Sequence, residues 1–178
     1  MTVDFFKSAI NLKKISRQGW INKLNMDKSE SVADHSFMMT VMSMVISDLT
    51  NQNSEKIMKM ALLHDLAESK IGDYVPGQID KEEKIRLENN AFMEIVDKLP
   101  NKIKTEYLQL WKEYQENISE ESKIIHQIDK LEMSLQAKTY QKEGHPIEKL
   151  ETFFNSAKND ISNPTLKKIF LEIVMEKN

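Results

Sequence analysis

Apolar residues recur along this 178-residue chain at intervals of three and four, the period of an α-helix and not the alternation of a strand. Val3 to Ile15 is predicted as a first helix, with Phe6, Ile10 and Leu12 facing inward. Arg17-Gln18-Gly19-Trp20 then breaks the pattern at a glycine. Ser29-Glu30-Ser31 supplies capping residues for a long helix from about Val32 to Leu49. His35, Met38, Met39, Met42, Ile46 and Leu49 share one face of it. Asn53 or Ser54 can cap the next helix, whose inward face is Ile57, Met60, Ala61 and His64. Gly72-Asp73 and Pro76-Gly77 punctuate the loop that follows. Further helices are expected over Lys81 to Leu99, from about Lys102 to Glu116, and over Glu120 to Gln141 with Ile124, Ile125, Ile128, Leu131 and Leu135 as core stripe. After the stop at Gly144-His145-Pro146, Ile147 to Phe154 and Pro164 to Val174 close the chain. With no strand pattern, repeat or low-complexity linker, the expected fold is all-α: one domain spanning residues 1–178.

Composition agrees with that picture. Only four glycines and four prolines leave few places where a helix must stop. A net charge of −3 provides no basic footprint, so a nucleic acid polymer is not an expected partner, although a single nucleotide needs only one or two cations. The absence of cysteine excludes disulfides and thiolate chemistry and leaves His and carboxylate as metal ligands. Met1 to Lys7 lacks a signal-peptide pattern, and the longest apolar-rich run, Phe37 to Leu49, is interrupted by Thr40, Ser43, Ser47 and Asp48. The expectation is a cytoplasmic protein with no membrane partner.

The chemistry starts at His64-Asp65, an imidazole and a carboxylate at the end of an apolar helical stretch. Taken singly, the pair reads as a helix C-terminal histidine beside an exposed aspartate, His35 as a hydrogen-bonded core histidine and Asp129 as a boundary residue. Taken together they place a His or Asp on or beside the inward face of three helices, and one shared divalent cation would satisfy all of them. Two histidines and two carboxylates suit Mn, Fe, Co, Mg or Zn. Such a cation lowers the pKa of a bound water, so hydrolysis is the chemistry that follows. Glu68, one turn on, is the candidate general acid/base. Asp73 is placed to bind a sugar hydroxyl or, with Glu68, to hold a second cation. Arg17 is the candidate phosphate clamp, because a guanidinium meets phosphate oxygens two at a time. Trp20 reads as core in preference to a base-stacking platform, His126 as a helix-surface residue and His145 as part of a turn.

The order His35, His64-Asp65, Asp129 on an all-helical chain resembles the HD-domain superfamily of metal-dependent phosphohydrolases. Arg17-Gln18-Gly19-Trp20, Glu30-Ser31-Val32-Ala33-Asp34-His35, His64-Asp65-Leu66-Ala67-Glu68, Ile71-Gly72-Asp73 and Ile128-Asp129-Lys130-Leu131-Glu132 together look like the small 5′-deoxynucleotidases of the HD domain-containing protein 2 type. The resemblance implies an HD-type helical bundle that hydrolyses deoxynucleoside 5′-monophosphates through a metal-activated water, with Mn, Co or Mg, often as a homodimer. It makes His35, His64, Asp65 and Asp129 metal ligands, Glu68 the acid/base or a ligand of a second metal, Arg17 the phosphate contact, and Asp73 a deoxyribose or second-metal contact. Bacterial members carry a nucleotide-binding tryptophan immediately after the arginine. Gln18 stands there in this chain, with Trp20 two positions on, and this bears on substrate preference.

Two other functions compete. One is an HD phosphohydrolase acting on another small nucleotide or phosphate ester. Against its alarmone form, Ser69 follows Glu68 where those enzymes carry an acidic pair. The other is a non-catalytic, metal-stabilised nucleotide-binding module, which would need neither Glu68 nor Arg17.

Overall fold

The computed structural model describes residues 2–176, and among them every regular element is helical apart from one isolated antiparallel bridge between Ser16 and Ser31. In chain order the helices are α1 (Thr2–Ala9), α2 (Gln18–Leu24), α3 (Val32–Thr50), α4 (Ser54–Leu63), α5 (Glu68–Ile71), α6 (Lys81–Val96), α7 (Asn101–Glu116), α8 (Glu120–Lys142), α9 (Ile147–Asp160) and α10 (Pro164–Met175). The caps follow from residue chemistry. Asp80 accepts from the backbone N–H groups of Glu82 and Glu83, and Asn163 from those of Thr165 and Leu166 ahead of Pro164. Ser119 and Ser122 form a reciprocal capping box at the start of α8.

The chain divides into two compact units, each assembled from two segments. The first joins the residues up to Phe37 with Leu62–Glu116, and the second joins Met38–Ala61 with the residues from Asn117 onward. In the first unit α5 and α6 pack together, α6 meets α7, and α1 lies against α5 and α6. Its core includes the stacked rings of Phe92 and Trp111, 4.3 Å apart and 11° from parallel, with the indole N–H donating to Asn89. In the second unit α8, α9 and α10 pack on one another, burying Ile124, Ile125, Ile128 and Leu131 with Leu150, Phe153 and Leu166.

Several expected details are corrected. The first helix ends at Ala9 and tightens into a 3₁₀ segment, Ile10–Lys14, which changes the angular phase of the residues after it. Phe6 and Ile10 are exposed, at 60% and 55%, while half-buried Phe5 and buried Ser8 and Leu12 supply the inward stripe. Gly19 does not break the chain but lies inside α2, where Trp20 and Leu24 are one turn apart on the buried face. On α3 the inward face is His35, Met39 and Ile46 together with the small residues Ser36, Ser43 and Ser47, and Leu49 is 62% exposed. α9 runs beyond Phe154 to Asp160 because Ala157, one turn after Phe153, continues its buried stripe.

Candidate metal centre

The site is built in the first unit from the start of α3, the end of α4, the turn after it and the chain leading into α2. His35 lies in the first turn of α3, where Ser31 and Asp34 cap each other reciprocally: the Ser31 N–H meets Asp34 Oδ2 at 2.9 Å, and the Asp34 N–H donates to Ser31 Oγ at 3.2 Å. The Ile57, Met60, Ala61 and His64 face is buried as its period requires. The α-helix itself ends at Leu63, however, and His64 to Ala67 form a turn in which Leu66 N–H bonds to Leu63 O and Glu68 N–H to Asp65 O. The turn, and not a continuous helix, orients Asp65 and Glu68.

Asp65 Oδ2 is the point of convergence. His64 Nε2 lies 3.0 Å from it, Arg17 Nη1 3.2 Å and His35 Nε2 3.8 Å. The two imidazoles are 5.3 Å apart between ring centres, and each brings a ring nitrogen within 4.8 Å of one on the other. His35 is fully buried and His64 nearly so. Burial alone would raise the Asp65 carboxyl, but the charge and hydrogen bond of His64, with Arg17 and His35, outweigh it and hold the group well below the usual carboxylate range. Two ring nitrogens and an ionised carboxylate aimed at one place form a donor set that fits a divalent cation.

Glu68 is the first residue of α5 and is buried, and its Oε2 has no hydrogen-bond partner among the described residues. Burial first, then the charges of Asp65 and Asp73, push its carboxyl well above the usual range against the opposing pull of Arg17 and Lys84. That shift favours the protonated carboxyl, the direction a general acid requires. Gly72 follows α5 at φ +82°, a conformation that favours glycine, and turns the chain so that Asp73 Oδ2 accepts the backbone N–H of Gln18 at 2.7 Å.

The remaining expected residues are placed as follows. The Gln18 side chain folds back, its Nε2 donating to Ser16 O at 3.2 Å. Trp20 is 1% exposed and its indole N–H donates to Glu30 Oε1 at 2.8 Å, so the ring has no open face for a base and anchors Glu30 instead. Asp129 belongs to the second unit, half-buried on α8 with Lys130 Nζ at 3.1 Å. His126 is half-buried on α8, and His145 packs edge-on to Tyr140 in the turn after it.

Sequence reading missed three neighbours of this site. Glu30 brings a carboxylate oxygen within 4.8 Å of an imidazole nitrogen of His35. Tyr114 on α7 sets its ring edge-on to His64 at 5.9 Å. Glu88 on α6, half-buried beside Lys84, feels the charges of both Asp65 and His64. Only Glu30 carried a signal, its place just before the His35 helix.

Comparison with known proteins places this geometry. A model of the HD domain matches residues 9–170. The chain is 38% identical over 182 residues to 5′-deoxynucleotidase HDDC2 of Dictyostelium discoideum, covering 96% of this chain and 95% of that protein. It is 36% identical over 177 residues to 5′-deoxynucleotidase HDDC2 of Homo sapiens, covering 99% and 86%. The crystal structure of the PH0347 protein from Pyrococcus horikoshii OT3 is similar with a TM-score of 0.79 at 30% identity, covering 96% of this chain and 97% of that one. No helix among the described residues is long and apolar enough to cross a membrane. A family model spanning nearly the whole chain, relatives above one-third identity and a His-Asp centre in a helical fold lead to one conclusion: the chain belongs to the HD-domain family.

Proposed function

We propose that this chain is a divalent-metal-dependent 5′-deoxynucleotidase, hydrolysing deoxynucleoside 5′-monophosphates to deoxynucleosides and inorganic phosphate. The observation that supports this reading is the convergence of His64 Nε2 and Arg17 Nη1 on Asp65 Oδ2, at 3.0 and 3.2 Å, a guanidinium beside an imidazole and a carboxylate of the kind that ligate metals. The names of the relatives supply the substrate class.

In this proposal His35, His64, Asp65 and Asp129 hold the cation, which is manganese, cobalt or magnesium. Asp129 is included on the Ile128-Asp129-Lys130-Leu131-Glu132 motif. When bound, the cation supplies Lewis acidity and lowers the pKa of water toward neutrality. Arg17 binds the non-bridging phosphate oxygens and offsets the charge that grows on them as the P–O5′ bond breaks. Glu68 gives its proton to the departing 5′ oxygen and takes one from the incoming water. Glu68 and Asp73 are also the carboxylates that would hold a second cation.

Asp73 contacts the deoxyribose, and Gln18, in place of the bacterial tryptophan, gives this chain its own sugar and base preference. We further propose that the whole chain acts as one HD-type domain, as a homodimer, in the cytoplasm. The test is phosphate release from each deoxynucleoside and ribonucleoside monophosphate with Mn, Co or Mg added in turn. Metal-dependent release from the deoxy series supports the reading, and no release from any of them with any metal refutes it.

A further inference from the structure

A phosphate anchor is only as effective as its position, and Arg17 cannot fix its own. It is the residue before α2, in extended conformation at φ −66° and ψ 103°, and its side chain has no acceptor with which to cap the helix. The backbone around it is held from outside instead. The Arg17 N–H donates to Glu30 O at 3.0 Å. The Arg17 carbonyl accepts from Ser29 Oγ at 3.1 Å and from the Trp20 N–H at 3.2 Å. The next N–H, that of Gln18, is taken by Asp73 Oδ2 at 2.7 Å, from a loop 55 residues further along the chain. Ser29 is itself buried, and its hydroxyl also reaches Glu30 O at 2.9 Å.

We infer that Ser29 and Asp73 are positioning residues for Arg17. Asp73 acts as the cap that α2 lacks in its own sequence, and Ser29 pins the Arg17 carbonyl. The two contacts hold the peptide unit between Arg17 and Gln18 by its carbonyl and its N–H, the Arg17 N–H bond to Glu30 O holds the unit before it, and together they restrict where the guanidinium can reach. Asp73 thereby couples the loop after α5, the segment that follows Glu68, to the arginine at the start of α2. This use of Oδ2 is compatible with a sugar contact through the other oxygen. The inference rests on Arg17 being the phosphate contact.

The experiment measures binding of inorganic phosphate and of deoxyadenosine to the Mn-loaded protein by calorimetry, and the exchange rate of the Gln18 amide hydrogen by NMR. The variants are Asp73→Asn, Asp73→Ala, Ser29→Ala, Arg17→Ala and the Arg17→Ala/Asp73→Ala double variant. Asparagine keeps an acceptor for the Gln18 N–H and removes the charge. The expected result is that Asp73→Ala speeds Gln18 exchange and weakens phosphate binding on the order of tenfold, as loss of a charge-assisted hydrogen bond would. Deoxyadenosine binding also weakens in Asp73→Ala, which loses the proposed sugar contact, but is unchanged in Ser29→Ala. Asp73→Asn stays within about threefold of the wild type on the same scale, Ser29→Ala weakens phosphate binding selectively, and Asp73→Ala adds nothing in the Arg17→Ala background. Asp73→Asn as damaged as Asp73→Ala, or additive losses in the double variant, would overturn the positioning role while leaving Arg17 as the phosphate contact. If Arg17→Ala leaves phosphate binding unchanged, the assignment of Arg17 under the proposed function is the part that fails, and the inference falls with it.

Discussion

Replacing Arg17 with alanine removes one of three positively disposed groups around Asp65 Oδ2. At 3.2 Å and an effective dielectric constant of about 20, the gross attraction between guanidinium and carboxylate is about 5 kcal/mol. Much of that never appears as stability. The side chains are 13% and 16% exposed, so removing Arg17 also removes the desolvation of its own charge, and the two imidazoles remain to share the charge of Asp65. A net loss of about 1–3 kcal/mol is expected for the metal-free protein, and a fall in melting temperature of about 3–10 °C for a chain of this size. Arg17→Lys keeps the charge without the forked geometry and should fall between the two. The assay is thermal unfolding with a chelator present, at low and at moderate salt. If the Arg17→Ala melting temperature matches the wild type within about 1 °C, the pairing with Asp65 carries no weight in the folded state, and the electrostatic picture of the site is wrong.

Adding a saturating divalent cation should raise the melting temperature, by about 4 kcal/mol of linked stability at a thousandfold excess over its Kd, and His64→Ala should remove that rise; equal melting curves with and without chelator would refute a cation at these residues. Glu68→Gln should bind metal and inorganic phosphate nearly as well as the wild type yet lose about 10²–10⁴ in kcat, and a variant retaining half the rate would exclude it as acid/base. Phe92→Ala, at a fully buried position stacked on Trp111, should destabilise by about 3–5 kcal/mol in chemical denaturation, and a loss under about 1 kcal/mol would mean that the stack is not a packed core. Burial, reinforced by Asp65 and opposed by Lys84, raises the Glu88 carboxyl above its ordinary 4.5. The folded state therefore holds that proton more tightly than the unfolded one, and the stability it contributes is present below about pH 4.5 and lost as pH rises through the folded value. Glu88→Gln should gain melting temperature relative to wild type at pH 7.5 but not at pH 4, and an equal difference at both would refute the shift.

The helical class and the position of most elements follow from spacing, because a helix that buries one face must repeat at three and four residues whatever it packs against. α8 and its stripe through Ile124, Ile128 and Leu131 are legible for that reason, as are Asp80 and Asn163, whose caps need only local chemistry. His35 and His64-Asp65 are legible as candidates because an imidazole or carboxylate on or beside an inward face is costly unless it is paired, hydrogen-bonded or bound to a metal.

What spacing does not encode is phase and contact between distant segments. Phe6 and Ile10 have a helical period, but the 3₁₀ segment that follows α1 and the packing of α1 on α5 and α6 select the stripe through Phe5, Ser8 and Leu12. Gly19 reads as a breaker because intrinsic propensity is weak, while the burial of Trp20 and Leu24 outweighs it. The same limit holds at the site. A one-dimensional chain carries the residue types that favour metal and phosphate chemistry, since those depend on the donor atoms themselves. The convergence of three side chains on Asp65 Oδ2, the grip of Asp73 on the Gln18 amide and the approach of Glu30 to His35 exist only after folding. Their energies depend on distance and burial, which tertiary packing sets and sequence separation does not.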